Sequence, residues 1–387
     1  MSIEWRNWSG SQQHQARQLS LPESESELLS LLDQARNEDL VVRPIGSAHS
    51  FVPFWTDDIL LSLDGMKGIR HIDVERQQVT MGAGTKLHEI GQPLYEAGFS
   101  MINMGDIDRQ SIAGAIGTGT HGTGRNLQNV SNQLASVRFM QASGELLTLT
   151  PADGDLFRAV QVSMGTLGVV TEVTLNVVPA YHLVEKNWEC SVEACGEALE
   201  ELINNNRHFE FFWDPAKDVC AMKTLNPVEV GFTNGVNPVG PAHEIIPSTR
   251  DLEFNETEFS VPYESGWDCF LELRGLMQRK YPEVRWPLEY RTLAADESLL
   301  STANGRESVT ISAHQSNRLD HTAFFLDAEN LFRDFDGRPH WGKIHTLRFA
   351  ELNGRLPGFD RFCEVRQRLD PKGRFLNSFL HGVFGTS

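Results

Sequence analysis

The chain has 387 residues, 40% hydrophobic and 22% charged, a composition that excludes a disordered or fibrous chain and implies two or three domains of roughly 100–200 residues each. Its 52 acidic against 34 basic side chains give a net charge of −18, which repels phosphate backbones and anionic lipid and argues against a nucleic-acid or membrane-surface role. No apolar run approaches the roughly 20 residues of a membrane span, and Met1-Ser2-Ile3-Glu4-Trp5-Arg6 has neither the basic start nor the apolar core of a signal peptide, so the expected location is the cytoplasm.

In chain order, the first predicted helix starts at Ser20, three residues before Glu23 as in a capping box, with Pro22 in its first turn and Leu28, Leu29, Leu31, Leu32 and Ala35 as its apolar face. Strands follow at Leu40-Val41-Val42, Ile59–Leu63, His71–Val74 and Gln78–Met81, at intervals too short for helices between them. A helix from Thr85 to Ala97, kinked at Pro93, comes next. The span 101–124 holds six glycines and reads as one long irregular loop, a feature that inside a compact domain is usually functional. Strands resume at Leu134–Met140 and Leu146–Leu149, a short helix covers Asp155–Val162, and Gly165–Pro179 reads as one long strand closing the first domain. Beyond it come a helix at Val192–Asn204, a strand at His208–Trp213, a turn-rich surface stretch from Asn226 to Pro247, and a second α+β region to about Arg355.

The five cysteines, Cys190, Cys195, Cys220, Cys269 and Cys363, are odd in number, scattered and without a Cys-x-x-Cys pair, so free thiols are expected. The triplets Asn7-Trp8-Ser9, Asn129-Val130-Ser131 and Asn255-Glu256-Thr257 match the glycosylation pattern by chance in a chain with no secretory signal.

Gly117-Thr118-Gly119-Thr120-His121-Gly122 satisfies G-x-G-x-x-G, but a dinucleotide site needs a buried strand before it, a helix after it and an acid about 20 residues on. That context is missing. What the segment offers is a run of small residues from Ser111 to Gly119 whose backbone N–H groups can approach a large planar or phosphorylated ligand.

The order of Arg43-Pro44-Ile45-Gly46-Ser47-Ala48-His49-Ser50, then Gly105-Asp106 with Ser111-Ile112-Ala113-Gly114, then Gly117–Gly124, then Gly165-Thr166-Leu167-Gly168-Val169-Val170, resembles the FAD-binding domain of the vanillyl-alcohol oxidase flavoprotein family. Glu289-Tyr290-Arg291 and His340-Trp341-Gly342-Lys343 resemble the substrate-domain signatures of its sugar branch, the alditol and aldonolactone oxidases. The resemblance implies an α+β, two-domain fold: FAD-binding domain 1–178, a substrate domain on an antiparallel sheet at 179–355, and a C-terminal segment 356–387 returning to the FAD domain. It implies FAD, bonded covalently through His49, and held by Arg43, Pro44, Ile45, Gly46, Ser47, Ala48, Ser50, Gly105, Asp106, Ser111, Ala113, Gly114, Gly117, Thr118, Thr120, His121, Gly122, Val169, Val170 and His340.

On a strand Glu289 and Arg291 project to one face. A carboxylate suits vicinal hydroxyls, and a guanidinium suits the oxygen that loses its proton as hydride leaves the adjacent carbon. Resemblance adds Lys343 at that hydroxyl, which makes Arg291, Lys343 and Glu289 the catalytic candidates, with Ser111 and His314 joining them as substrate contacts. Ser312 and His314 share one face of the strand Val309–His314.

A metal site among His314, His321, His340 and His345 lacks the i, i+4 helical spacing, with His340–Phe349 reading as a strand. No metal is therefore expected. The expected reaction is oxidation of an alditol such as xylitol or sorbitol, with oxygen reoxidising the flavin to give hydrogen peroxide. Glu289 leans toward alditols, because an ionised carboxylate repels a lactone carbonyl. Aldonolactone oxidation is the alternative, and a flavin-free binding module on the same fold is the second.

Overall fold

The computed structural model describes residues 3–248 and 252–386, so the first two residues of the stretch read for a leader lie outside it. Among the described residues the strands form four sheets. The fold is α+β.

A parallel three-stranded sheet, in the order Gln18–Ser20, Ile59–Ser62, Val42–Ile45, is covered by the helix Glu25–Asn37. Leu28, Leu31, Leu32 and Ala35 bury against Val42, Ile59 and Leu61. The helix begins later than the capping-box reading, since Ser20 is the last residue of a strand and the N-cap is Ser24, whose Oγ accepts from the Glu27 N–H at 3.3 Å. Leu29 consequently faces solvent, and Leu40-Val41 precede the strand they were expected to form.

An antiparallel sheet follows, in the order Leu146–Leu149, Leu134–Met140, Val169–Pro179, Gln78–Gly82, Ile69–Asp73, with Phe99–Met101 pairing the end of Val169–Pro179. That strand starts at Val169 and not at Gly165, because Met164, Gly165 and Gly168 take positive φ and turn the chain first. The single helix expected over 85–97 is a short 3₁₀ turn, Leu87–Glu89, and a six-residue helix, Gly91–Glu96.

The 101–124 span is not one irregular loop. It contains the helix Ile112–Thr118, N-capped by Ser111, whose Oγ accepts from the Gly114 N–H, and ended by Gly119 at φ +72°. The helix carries no readable apolar stripe, and its stability comes from burying Ile112, Ala115 and Ile116 in the core. The glycines of G-x-G-x-x-G therefore sit at a helix's C-terminal end, the wrong pole for a pyrophosphate.

The large sheet has eight antiparallel strands in the order Val239–Pro241, His182–Ser191, Val219–Val228, His208–Asp214, Leu288–Leu293, Ser308–Ser316, Phe254–Pro262, Arg338–Pro339. One of them, Val239–Pro241, and the last three residues of Val219–Val228 fall in the stretch expected to be surface loop. One face is apolar, with Phe211, Tyr290, Ile311 and Phe259 packed in one core with the helices Val192–Asn205, Gly266–Lys280 and Thr322–Asp334. The other face is polar yet buried. The segment expected as a strand at His340–Phe349 is instead a turn and an extended run, with Lys343 N–H bonded to the His340 carbonyl.

The chain's end returns to the parallel sheet, where Val42 N–H donates to the Arg374 carbonyl at 2.9 Å and Asn377 Nδ2 to the Pro53 carbonyl at 2.6 Å. All five cysteines are free thiols. Among the described residues no helix is long and apolar enough to cross a membrane.

Candidate active site

A cleft is walled by residues 43–50, by the helix Ile112–Thr118 and by residues 163–170. Pro44, Ile45, Gly46, Ser47, Ala48, His49, Ser50, Ser111, Ala113, Gly114, Gly117, Thr118 and Val170 line it. The wall is made for close approach. A Cβ on Gly46 would lie 2.2 Å from Ser111 Oγ, and Ser47 Oγ is buried without a hydrogen-bond partner. Ala48 takes φ +55°, a conformation an alanine rarely adopts. A cleft paved with small residues and an orphaned hydroxyl fits a large ligand such as FAD.

Arg43 lines this cleft too, but its guanidinium is taken up by the Met164 and Phe375 carbonyls, at 2.8 and 2.6 Å, so its side chain builds the floor. Val169 lies outside the cleft, since strand alternation turns it into the core and leaves Val170 exposed to the ligand space.

A second cavity of about 760 Å³ adjoins the first through His49, Ser50, Gln110 and Thr118, which line both. Gly105, Asp106, Thr120 and His121 wall this cavity rather than the cleft, as do His340 and the candidates Glu289, Arg291, His314 and Lys343. Ser111 contacts only the cleft, and Gly122 lines neither space, being pressed against the Met104 carbonyl, where a Cβ would sit at 2.2 Å.

His49 stands at the junction. Its two flanking carbonyls are held from outside by the N-terminal hairpin: Trp8 N–H donates to Ala48 O at 2.8 Å and Asn7 Nδ2 to Ser50 O at 3.0 Å, while the Trp8 ring stacks on the imidazole at 5.7 Å. Burial, helped by the Lys343 and Lys86 charges, pushes the His49 pKa down to about 4, so the ring is neutral at physiological pH.

The cavity's far wall is the polar face of the large sheet. Register sets Glu289 opposite Ser312, Ser312 opposite Glu258, and Glu256 opposite His314. Glu258 accepts from Arg291 at 2.9 Å, from Ser312 Oγ at 3.0 Å and lies 2.6 Å from His121 Nε2. Burial alone would raise its pKa, but His121, Arg291 and His340 hold it well below the usual carboxylate range. Glu256 pairs with Lys343 and lies 3.7 Å from His314. Burial opposes ionisation there as well, and the Lys343 and His314 charges overcome it.

Glu289 behaves differently. It is 3.4 Å from Arg291, yet burial, reinforced by Glu210, Glu256 and Asp106, outweighs that cation and raises its pKa to about 8. Arg291 stays charged, because the acidic groups around it, the ionised Glu258 among them, more than offset its burial. His340 accepts from Gly342 N–H through Nδ1 at 3.0 Å and is pushed by burial down to about 3.

Sequence reasoning missed Glu256 and Glu258, one of which it met only as part of a chance glycosylation triplet. The i, i+2 alternation used for Glu289 and Arg291 puts Glu256 and Glu258 on one face of a strand but does not single them out. It also missed the roles of Asn7 and Trp8. The structure brings His121, Glu258 and His340 together, and Glu256, Glu289 and His314, each with donor atoms within 4.8 Å of one another. The carboxylates Glu258 and Glu256 are already answered by Arg291 and Lys343.

Residues 16–150 match the family model for an FAD binding domain, and residues 173–232 and 229–383 match that for D-arabinono-1,4-lactone oxidase. The chain is 34% identical to the L-gulono-1,4-lactone dehydrogenase of Mycobacterium tuberculosis, over all of both chains. It is 27% identical to the alditol oxidase of a Streptomyces species, over 99% of each. In fold it is similar to the cholesterol oxidase of B. sterolicum, with a TM-score of 0.86 at 14% identity over 99% of this chain and 97% of that one.

Proposed function

Because the chain belongs to the D-arabinono-1,4-lactone oxidase family and is an FAD-dependent oxidoreductase acting on CH–OH groups of sugars, we propose that its substrate is an aldono-1,4-lactone. This reading displaces the alditol expected from sequence. Its support is the family model together with the higher identity to a lactone dehydrogenase than to an alditol oxidase.

The observation that carries it is the match of residues 173–232 and 229–383 to the D-arabinono-1,4-lactone oxidase family. The case for alditols assumed an ionised carboxylate facing a lactone carbonyl. Burial raises the Glu289 pKa to about 8, which favours the protonated form, and a protonated carboxyl can donate to that carbonyl instead of repelling it.

In this proposal residues 1–178 form the FAD domain, 179–355 the substrate domain, and 356–387 the segment that returns to the first. The Gly46–Ser50 loop and the small-residue helix hold the cofactor, and the neutral His49 imidazole bonds it covalently. FAD when bound supplies the acceptor for the hydride that leaves the carbinol carbon. Arg291 and Lys343 donate to the carbinol oxygen and stabilise the negative charge that develops as its proton leaves, so no strong base is required. Glu258 and Glu256 fix those two cations in place, and the buried sheet face keeps bulk water from weakening them. His340 walls the substrate cavity, and Thr118 lines both spaces.

Oxygen is the proposed final acceptor, in keeping with the oxidase family model. The test is anaerobic addition of gulono- or galactono-1,4-lactone to the yellow protein, followed by air. Loss and return of flavin absorbance, with hydrogen peroxide formed on reoxidation, is expected. A flavin untouched by any lactone contradicts the proposal.

A further inference from the structure

Beside the substrate cavity lies a smaller one, with about 20 Å³ of enclosed space, that shares Arg291 and Asp106 with it. Two polar atoms of its lining residues are buried without a hydrogen-bond partner, His208 Nε2 and Arg291 Nε. Both residues are more than nine-tenths buried, at 2% and 7% exposure. Such atoms are rare in folded proteins and call for a ligand or a water.

The two orphans are complementary. His208 Nδ1 donates to the Thr123 carbonyl at 2.8 Å, so in the neutral ring Nε2 carries the lone pair and can only accept. Arg291 Nε carries an N–H and can only donate, the same guanidinium having spent another nitrogen on Glu258 and Glu289. A group that satisfies both must give one hydrogen bond and take one, which is what a hydroxyl does.

Charge narrows the choice further. Lys223 lies 3.2 Å from Glu210 and 3.9 Å from Asp106. With Arg291 the lining thus sets two cations against two carboxylates, and a neutral group fits better than a carboxylate or a phosphate.

We propose that this cavity is a subsite for a hydroxyl of the substrate's exocyclic chain, held by His208 Nε2 as acceptor and Arg291 Nε as donor. The inference rests on the reading of the substrate as a sugar lactone oxidised beside Arg291. It makes Arg291 bifunctional, with one edge toward the reacting hydroxyl and Nε toward the distal one. The enzyme then measures chain length with the residue that also stabilises charge. A four-carbon 1,4-lactone has no exocyclic carbon, a five-carbon one has a hydroxymethyl group, and a six-carbon one has a diol.

The experiment compares kcat/KM for gulono-1,4-lactone and for threono-1,4-lactone in the holoenzyme and in His208→Leu. The wild type is expected to favour the six-carbon lactone at least tenfold, and the variant to lose most of that preference. Since His208→Leu also removes the bond to Thr123, Leu225→Phe supplies a second arm: it fills the cavity from another wall, keeps His208, and should cut the same ratio about tenfold. A ratio unchanged in both variants means that the occupant is an ordered water, and overturns the proposal. Should no lactone reduce the flavin, the functional reading fails by itself, and the ratio for sorbitol against erythritol then decides the subsite. Equal rates for the two alditols, or reaction with neither, overturn it.

Discussion

Arg291 and Glu258 meet at 2.9 Å across an intervening strand, Ser308–Ser316, which pairs with the Arg291 strand on one side and the Glu258 strand on the other. The guanidinium is thereby tied to a carboxylate whose second oxygen meets His121 Nε2 at 2.6 Å. Lys343 is secured the same way by Glu256, two residues earlier on the same strand. One strand carries both anchors.

Replacing either cation by methionine should slow flavin reduction by saturating substrate on the order of 10²–10³, the usual cost of losing a donor to a developing oxyanion. Glu258→Gln keeps the shape but removes the charge that holds Arg291, so it should lower the reduction rate by roughly tenfold with a smaller change in KM. Stopped-flow absorbance reads all three. Lys343→Met reducing its flavin at the wild-type rate would make that lysine a bystander.

The Glu289 carboxyl sets a pH dependence whose sign is fixed. Its pKa is raised to about 8, so below that pH it donates to the lactone carbonyl and above it the ionised form repels. kcat/KM for a lactone should fall as pH passes about 8, and Glu289→Gln, whose amide donates at every pH, should abolish that fall. A rate that climbs through pH 8 in the wild type would instead make Glu289 a base.

His49 should hold the flavin through acid. Precipitation with trichloroacetic acid should leave the yellow colour in the pellet for the wild type and release it to the supernatant for His49→Ala. Asn7→Ala, which frees the Ser50 carbonyl, should lower the pelleted fraction. Wild-type colour in the supernatant disproves the covalent bond and leaves FAD binding intact.

His345 is fully buried with neither ring nitrogen hydrogen-bonded, and burial pushes its pKa from 6.5 down to about 3. Between those values the unfolded chain binds a proton that the folded one refuses, so this group costs stability as pH falls below about 6.5, by at most about 1.4 kcal/mol per unit. His345→Leu should therefore flatten the acid side of a denaturant-midpoint profile. A profile as steep as that of the wild type places the acid sensitivity elsewhere, for example on His208 or His340.

The glycine segments and Lys343 could be picked out through the family resemblance, and Glu289 with Arg291 also through their alternation on a strand; the structure brings most of them to the walls of the two spaces. The helix Ile112–Thr118 could not, since alanine and glycine carry little periodic signal and its formation depends on tertiary burial. Nor could Glu256 and Glu258 be chosen from among 52 acidic residues without the register that sets Glu256 opposite His314 and Glu258 opposite Ser312. The substrate preference depends on context of the same kind: Glu289 reads as ionised in sequence, whereas its burial beside Glu210, Glu256 and Asp106 raises its pKa.

The most direct test of a lactone-oxidising site is the ratio of second-order rate constants for anaerobic flavin bleaching by gulono-1,4-lactone and by sorbitol, equal in carbon number, in one preparation at pH 7. Bleaching at least tenfold faster with the lactone, a difference of about 1.4 kcal/mol in transition-state binding, is the expected result. Faster bleaching by sorbitol would contradict it and return the enzyme to the alditols.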